Sequence, residues 1–153
     1  MAVDVELRNL KETQKAMDQT VRDLHGTPMM QAIRDATLLI TRSARRAAPV
    51  DTGRLRASIA PEVVQGAHEV QGVVGSNVVY APFVETGSRP HWPPPGVLER
   101  WSRRHGIPEF LVMRAIALRG TKAQPYLEPA VEENLARIMR LLERAVQKAT
   151  EGQ

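Results

Sequence analysis

Asp51-Thr52-Gly53 is the stretch whose residue types and spacing could do chemistry, because this triplet carries the catalytic aspartate of aspartic proteases. In such a site two carboxylates share one proton, and a chain of 153 residues would have to supply one aspartate from each of two copies. The surrounding residues argue against it. A dyad aspartate needs an apolar strand leading into the triplet, whereas here the approach is ITRSARRAAPV, an arginine-rich helix end followed by Pro49. Arg54 and Arg56 follow at once, and two cations so near favour the ionised carboxylate, while the dyad needs one neutral carboxyl. The economical reading is structural: Asp51 or Thr52 caps a turn through its side-chain oxygen, and Gly53 takes a backbone angle that other residues avoid.

Other chemistries find less support. His25, His68, His91 and His105 are far apart, and none has a second ligand at metal spacing on a shared helix face. The glycines form no phosphate-cradling loop or dinucleotide fingerprint, and no serine sits in a nucleophile elbow. There is no cysteine, which excludes disulfides and thiolate chemistry and permits a cytosolic origin. A site built on DNA contact is the stronger competitor. VLERWSRRHGIPEFLVMRAIALRG reads as two short helices, Val97 to Arg104 and Glu109 to about Arg119, flanking a glycine turn, the outline of a helix-turn-helix. Arg114 and Arg119 could meet phosphates, but a recognition helix needs a polar exposed face, and FLVMRAIAL is apolar on nearly every side.

The elements that would position these residues follow from periodicity. Val3, Leu7, Leu10, Gln14, Met17, Val21 and Leu24 alternate spacings of four and three, a narrow helical stripe. His25-Gly26-Thr27-Pro28 stops it, with Thr27 the expected N-cap of a second helix whose face carries Met29, Ile33, Ala36, Ile40, Ala44 and Ala47. That helix should end before Pro49. SIAPEVVQ and EVQGVVGS read as a hairpin, with Pro61 pushing the first strand toward an edge or a bulge. Gly72 and Gly75 weaken the second strand. VVYAPFVETG reads as a third strand running into one helical turn closed by Gly87. SRPHWPPPG is a loop, since four prolines in six residues suit neither a helix nor a central strand. A long helix closes the chain from Pro129, with the stripe Val131, Leu135, Ile138, Leu142, Ala145 and Ala149. Helices before and after a run of strands predict an α+β fold: a small, mostly antiparallel sheet packed with a long N-terminal helix, a second helix and a long C-terminal helix.

Composition and charge bound the function. Hydrophobic residues at 42% and charged residues at 25% are ordinary for one soluble globular domain. The start is charged from its fourth residue, unlike a signal peptide, and no apolar run approaches the length of a membrane span. Residues 34–56 hold six arginines against Asp35 and Asp51, and residues 98–122 hold six basic residues against Glu99 and Glu109. Two basic clusters on a chain of net charge +4 suit an acidic partner or DNA, with solvated helix surfaces the plainer alternative.

Three blocks, in order, carry a family likeness. AAPVDTGRLRASI, with Asp51, Thr52, Gly53, Leu55 and Ser58, is followed by VVYAPFVETGS, with Tyr80, Phe83, Val84, Glu85 and Gly87. RGTKAQPYLEPAVEEN, with Pro125, Tyr126 and Leu127, closes the series. Together they resemble the small tail-completion or head–tail connector proteins of long-tailed phages, of the HK-ninety-seven type, over residues 47 to about 134. Tyr126 stands where that family more often has phenylalanine, and the stretch from Arg89 to Lys122 is longer than in its shortest members. The likeness implies one domain over residues 1–153, with a Pro-rich loop and helical insert at about 88–123. It implies a structural role without catalysis, cofactor or metal. The chain would form a homo-oligomeric ring, a hexamer in the virion, at the neck or tail top. Its partners would be portal-side connector proteins and tail-terminator or tail-tube proteins, with no membrane. On that reading Tyr80, Phe83, Val84, Tyr126 and Leu127 are expected in the sheet–helix core. Arg89, Trp92, Phe110 and Met113 are candidate interface residues. Arg42, Arg45, Arg46, Arg54 and Arg56 are candidate contacts to channel DNA or an acidic partner, a contact that would attract phosphate without reading sequence.

Overall fold

The structure, a computed structural model, describes residues 26–66 and 69–151. Within them lie helix α1 (Thr27–Ala47), a one-turn helix α2 (Arg54–Ser58), strands β1 (Ile59–Gln65) and β2 (Val70–Ser76), and helix α3 (Ala81–Thr86). Helices α4 (Glu99–His105), α5 (Glu109–Arg119) and α6 (Glu128–Glu151) complete the order. The fold is α+β. The expected helix over residues 3–24 lies outside the described residues.

α1 is the spine. Gly26 is its N-cap, not Thr27, which is already the first helical residue; Pro28 sits in the first turn, where a missing N–H costs nothing. One flank of α1 packs on the hairpin and the other on α6, so its buried set is wider than one apolar face: Ala32, Ala36, Thr37, Thr41, Ser43 and Ala44. Ala47, expected on that face, is exposed. The buried hydroxyls are satisfied along the helix itself, Thr41 donating to the Thr37 carbonyl at 2.7 Å and Thr37 to that of Arg34 at 2.8 Å. Asn134 of α6 donates its amide to Ser43 Oγ at 2.8 Å, which fixes the register of the two helices.

β1 and β2 pair antiparallel from Ile59 opposite Ser76 to Gln65 opposite Val70, and Pro61 is accommodated because a two-stranded ribbon leaves an edge on each side. Gly72 has a packing reason: a Cβ there would stand 2.6 Å from Thr37 Cγ2 and 2.9 Å from Ile33 Cγ2, so glycine lets β2 cross closely over α1. The expected third strand does not form. Val78 enters the core, the chain turns at Val79-Tyr80, and Pro82 sits in the first turn of α3.

The core gathers Ala44, Ala48, Leu55, Ile59, Val78, Ala81, Tyr126 and Ala130, with Ile40, Val74, Val84 and Leu127 packed against it. Tyr126 and Ile59 are its largest fully buried side chains. Tyr80 and Phe83, expected in the core, are exposed instead. A six-residue helix buries one side only, and in α3 that side is Ala81 and Val84, at i and i+3. On α6 the buried line is Ala130, Asn134 and Ala145, so Val131 and Leu135 of the expected stripe face outward.

Candidate functional site

The Asp51-Thr52-Gly53 corner stands between α1 and α2. Gly53 has φ +79°, in the left-handed region that glycine adopts without a Cβ penalty, and Thr52 Oγ1 accepts from the N–H of Arg54 at 3.4 Å. Ser58 then ties the two ends of the hairpin, its hydroxyl 2.7 Å from that of Ser76 while it donates to the Leu55 carbonyl at 2.8 Å. Arg45 donates to the Ile59 carbonyl from Nε at 3.0 Å and from Nη2 at 2.6 Å, fastening the start of β1 to the end of α1. Its guanidinium is thus occupied within the fold. Arg46 donates to Ser43 Oγ and Arg56 to the Ala48 carbonyl; all five of these arginines, Arg42 and Arg54 included, are exposed.

The side chains paired with Asp51 come from α4, not from Arg54 and Arg56. Arg104 pairs with both carboxylate oxygens, and His105 Nε2 lies 3.1 Å from Oδ1. The Arg104 hydrogen bond, working against desolvation and joined by His105, holds the Asp51 carboxyl below the usual aspartate range. Trp101 stacks on His105 with ring centroids 4.2 Å apart and steadies that ring. A carboxylate held ionised by the Arg104 guanidinium is poorly suited to share a proton with a twin, so the corner works as an anchor for α4.

Glu85 joins the second signature block to the third. Its carboxylate accepts the N–H of Tyr126 at 2.8 Å, of Leu127 at 3.0 Å and of Glu128 at 2.9 Å, the unpaired donors at the start of α6. Burial pushes the carboxyl up, but the N–H donors of Glu128, Tyr126 and Leu127 outweigh it and hold Glu85 below its ordinary range. Burial and then the Glu85 charge push the Tyr126 phenol up. Gln124 N–H donates to the Val84 carbonyl at 2.8 Å, extending the same seam. Pro125 is exposed on the approach and Leu127 half-buried.

The segment from Ser88 to Thr121 leaves and re-enters the body through a narrow neck. Ser88 and Thr121 exchange backbone hydrogen bonds at 3.1 and 3.2 Å, and their hydroxyls lie 3.0 Å apart. Gly87 (φ +73°) and Gly120 (φ +71°) flank the bridge, and a Cβ on Gly120 would fall 1.9 Å from the Ser88 carbonyl oxygen. Inside the insert, Glu109 accepts the Leu98 N–H at 3.2 Å, and Trp92 meets Phe110 edge-on at 6.2 Å. Trp92 therefore rests on α5 rather than on the core. Phe110 (60% exposed), Leu111 and Leu118 (66%) line the outer face of α5 with Arg114, an apolar face unsuited to reading DNA. Met113, expected at an interface, is buried within the chain, and Arg89 is exposed.

Arg104, His105, Gly120 and the capping role of Glu85 escaped the sequence, because each acts on a residue more than thirty positions away. A depression of about 400 Å³ is lined, among the described residues, by Gly26, Thr27, Met30, Gln31, Arg34 and Gln65, of which Arg34 is the ionisable one. Among the described residues no cluster of His, Asp or Glu could hold a metal ion, and no helix is long and apolar enough to cross a membrane.

No curated protein and no solved structure matches the chain. A family described as "Bacteriophage HK97-gp10, putative tail-component" matches residues 11–87. The match takes in the Asp51 corner, the hairpin and α3, and ends at Gly87, where the neck of the insert begins. With half its length matched, the chain belongs to the HK97-gp10-like family of phage tail components.

Proposed function

We propose that the chain is a structural protein of the phage head–tail junction, a tail-completion or neck component. It assembles as a ring between the portal-side connector and the tail tube, in the virion and, during assembly, in the host cytoplasm. The observation that carries this reading is the pairing of a family frame with exposed apolar surface. The corner, hairpin and capped helix are engaged in holding one another. Large apolar side chains stand outside them on α3, α5 and α6, including Phe83, Phe110, Leu118 and Leu135. Apolar surface on several elements of a 17.0 kDa chain suits a subunit more than an enzyme. The exposed Arg42 and Arg54 would face the channel or an acidic neighbour, attracting phosphate without sequence preference. A phage carrying a stop codon early in this gene tests the role: filled heads and separate tails should accumulate. Normal yields of joined, infectious particles would exclude it.

A further inference from the structure

α5 and α6 present two exposed apolar faces of opposite charge character. On α6, Val131, Leu135, Met139 and Val146 fall within roughly 80° of arc at 3.6 residues per turn, beside the face that packs on α1. The exposed glutamates Glu128, Glu132 and Glu143 project along and just beyond this stripe, whereas Arg137, Arg140 and Arg144 lie on the opposite side of the helix. On α5, Phe110, Leu111 and Leu118 share the outer face with Arg114 at its middle, and exposed Arg119 ends the helix. Exposed Arg100 and Arg103 stand on the neighbouring α4. One face is apolar with a basic centre; the other is apolar with an acidic edge.

We propose that the outer face of α5 docks on the Val131–Val146 stripe of α6 in a second copy of the chain, with Arg114 directed to Glu132. The inference rests on the ring reading and specifies its contact. A contact between unlike faces is heterologous, and heterologous contacts are the kind that propagate around a closed ring. Charge complementarity sets the register and excludes the like pairings, since α5 against α5 would oppose arginines and α6 against α6 would oppose glutamates. The insert leaves and rejoins the body at the neck bridged by Ser88 and Thr121, and α5 within it turns Phe110, Leu111 and Leu118 to the outside.

The test uses full-length chains in sedimentation velocity and native mass spectrometry, with the wild type as reference. Arg114→Glu and Glu132→Arg are both at exposed positions, and each should weaken self-association roughly tenfold. The double variant should recover it. Mixing the two single variants should also restore assembly, with the two alternating, because each junction then joins either the native charge pair or the reversed pair of the double variant. Singles that assemble like a self-associating wild type, or a double no better than the singles, would overturn the α5–α6 contact while leaving the ring reading intact. A wild type that stays monomeric at every concentration, with the neighbouring neck proteins present as well as absent, overturns both. If the stripe is covered from within the same chain, Leu135→Asp lowers the melting temperature of the monomer and leaves the association constant unchanged, which also refutes the proposal.

Discussion

Replacing Glu85 by alanine should uncouple α6 from α3. Three backbone N–H groups at the start of α6 end on this one carboxylate, and no other side chain replaces it at Tyr126, Leu127 or Glu128. Losing a helix cap costs about 1–2 kcal/mol, and hydrogen bonds to a charged acceptor fall at the upper end of the range for single bonds. Because Glu85 is partly solvated, water recovers some of that loss, and about 2 kcal/mol is the expected net effect. In a domain of this size that lowers Tm by about 4–8 °C. Glu85→Gln keeps an acceptor oxygen without the charge and should cost about half as much. The sign of the pH dependence follows from the depressed carboxyl. The contribution is fully present above the unfolded-state range of a glutamate and is lost as pH falls through the lower folded-state value. Urea unfolding at neutral and acidic pH would therefore show wild type and Glu85→Gln converging in acid. A Glu85→Ala variant within 0.5 kcal/mol of wild type, or a gap that does not narrow in acid, would refute the capping argument.

Two of the positive-φ glycines should separate strain from collision. Gly53→Ala meets no atom within 4 Å and pays only for its left-handed backbone, about 1 kcal/mol, whereas Gly120→Ala also drives a Cβ into the Ser88 carbonyl and should cost about 3 kcal/mol or more. Equal losses in urea unfolding would contradict the close approach at the neck. Asp51→Asn should speed amide exchange in α4 while leaving α1 and α6 protected, since the Arg104 and His105 contacts tie α4 to the corner. The wild type should show the same loosening as pH falls through the depressed Asp51 value, because the tie needs the ionised carboxylate. Unchanged exchange in α4 would show that other contacts hold it.

What the sequence revealed depended on whether a signal was local. α5 was legible to the residue, because Pro108 precedes it and Gly120 ends it. The hairpin strands were legible from their Val-rich runs, each to within one residue. α2 was not, since five residues are too few to show a period, and the supposed third strand gave the valines at 78 and 79 more weight than Pro82, a helix-start residue. The first turns of the α6 seam were misplaced: Ala145 is buried and Ile138 and Leu142 half-buried as expected, but the inner line begins at Ala130 and Asn134, small or polar residues that a search for large apolar ones passes over. At the corner the structural role of Asp51 was legible, but its partners lie 53 and 54 positions downstream, beyond any spacing rule. Glu85 and the start of α6 meet across 41 positions for the same reason.

The central claim is that this chain works as a ring subunit, and its mass in solution tests that most directly. Native mass spectrometry of the purified chain, alone and with the neighbouring neck proteins, should show one closed species at an integer multiple of 17.0 kDa. A chain that remains at 17.0 kDa at every concentration, with and without those partners, would contradict it.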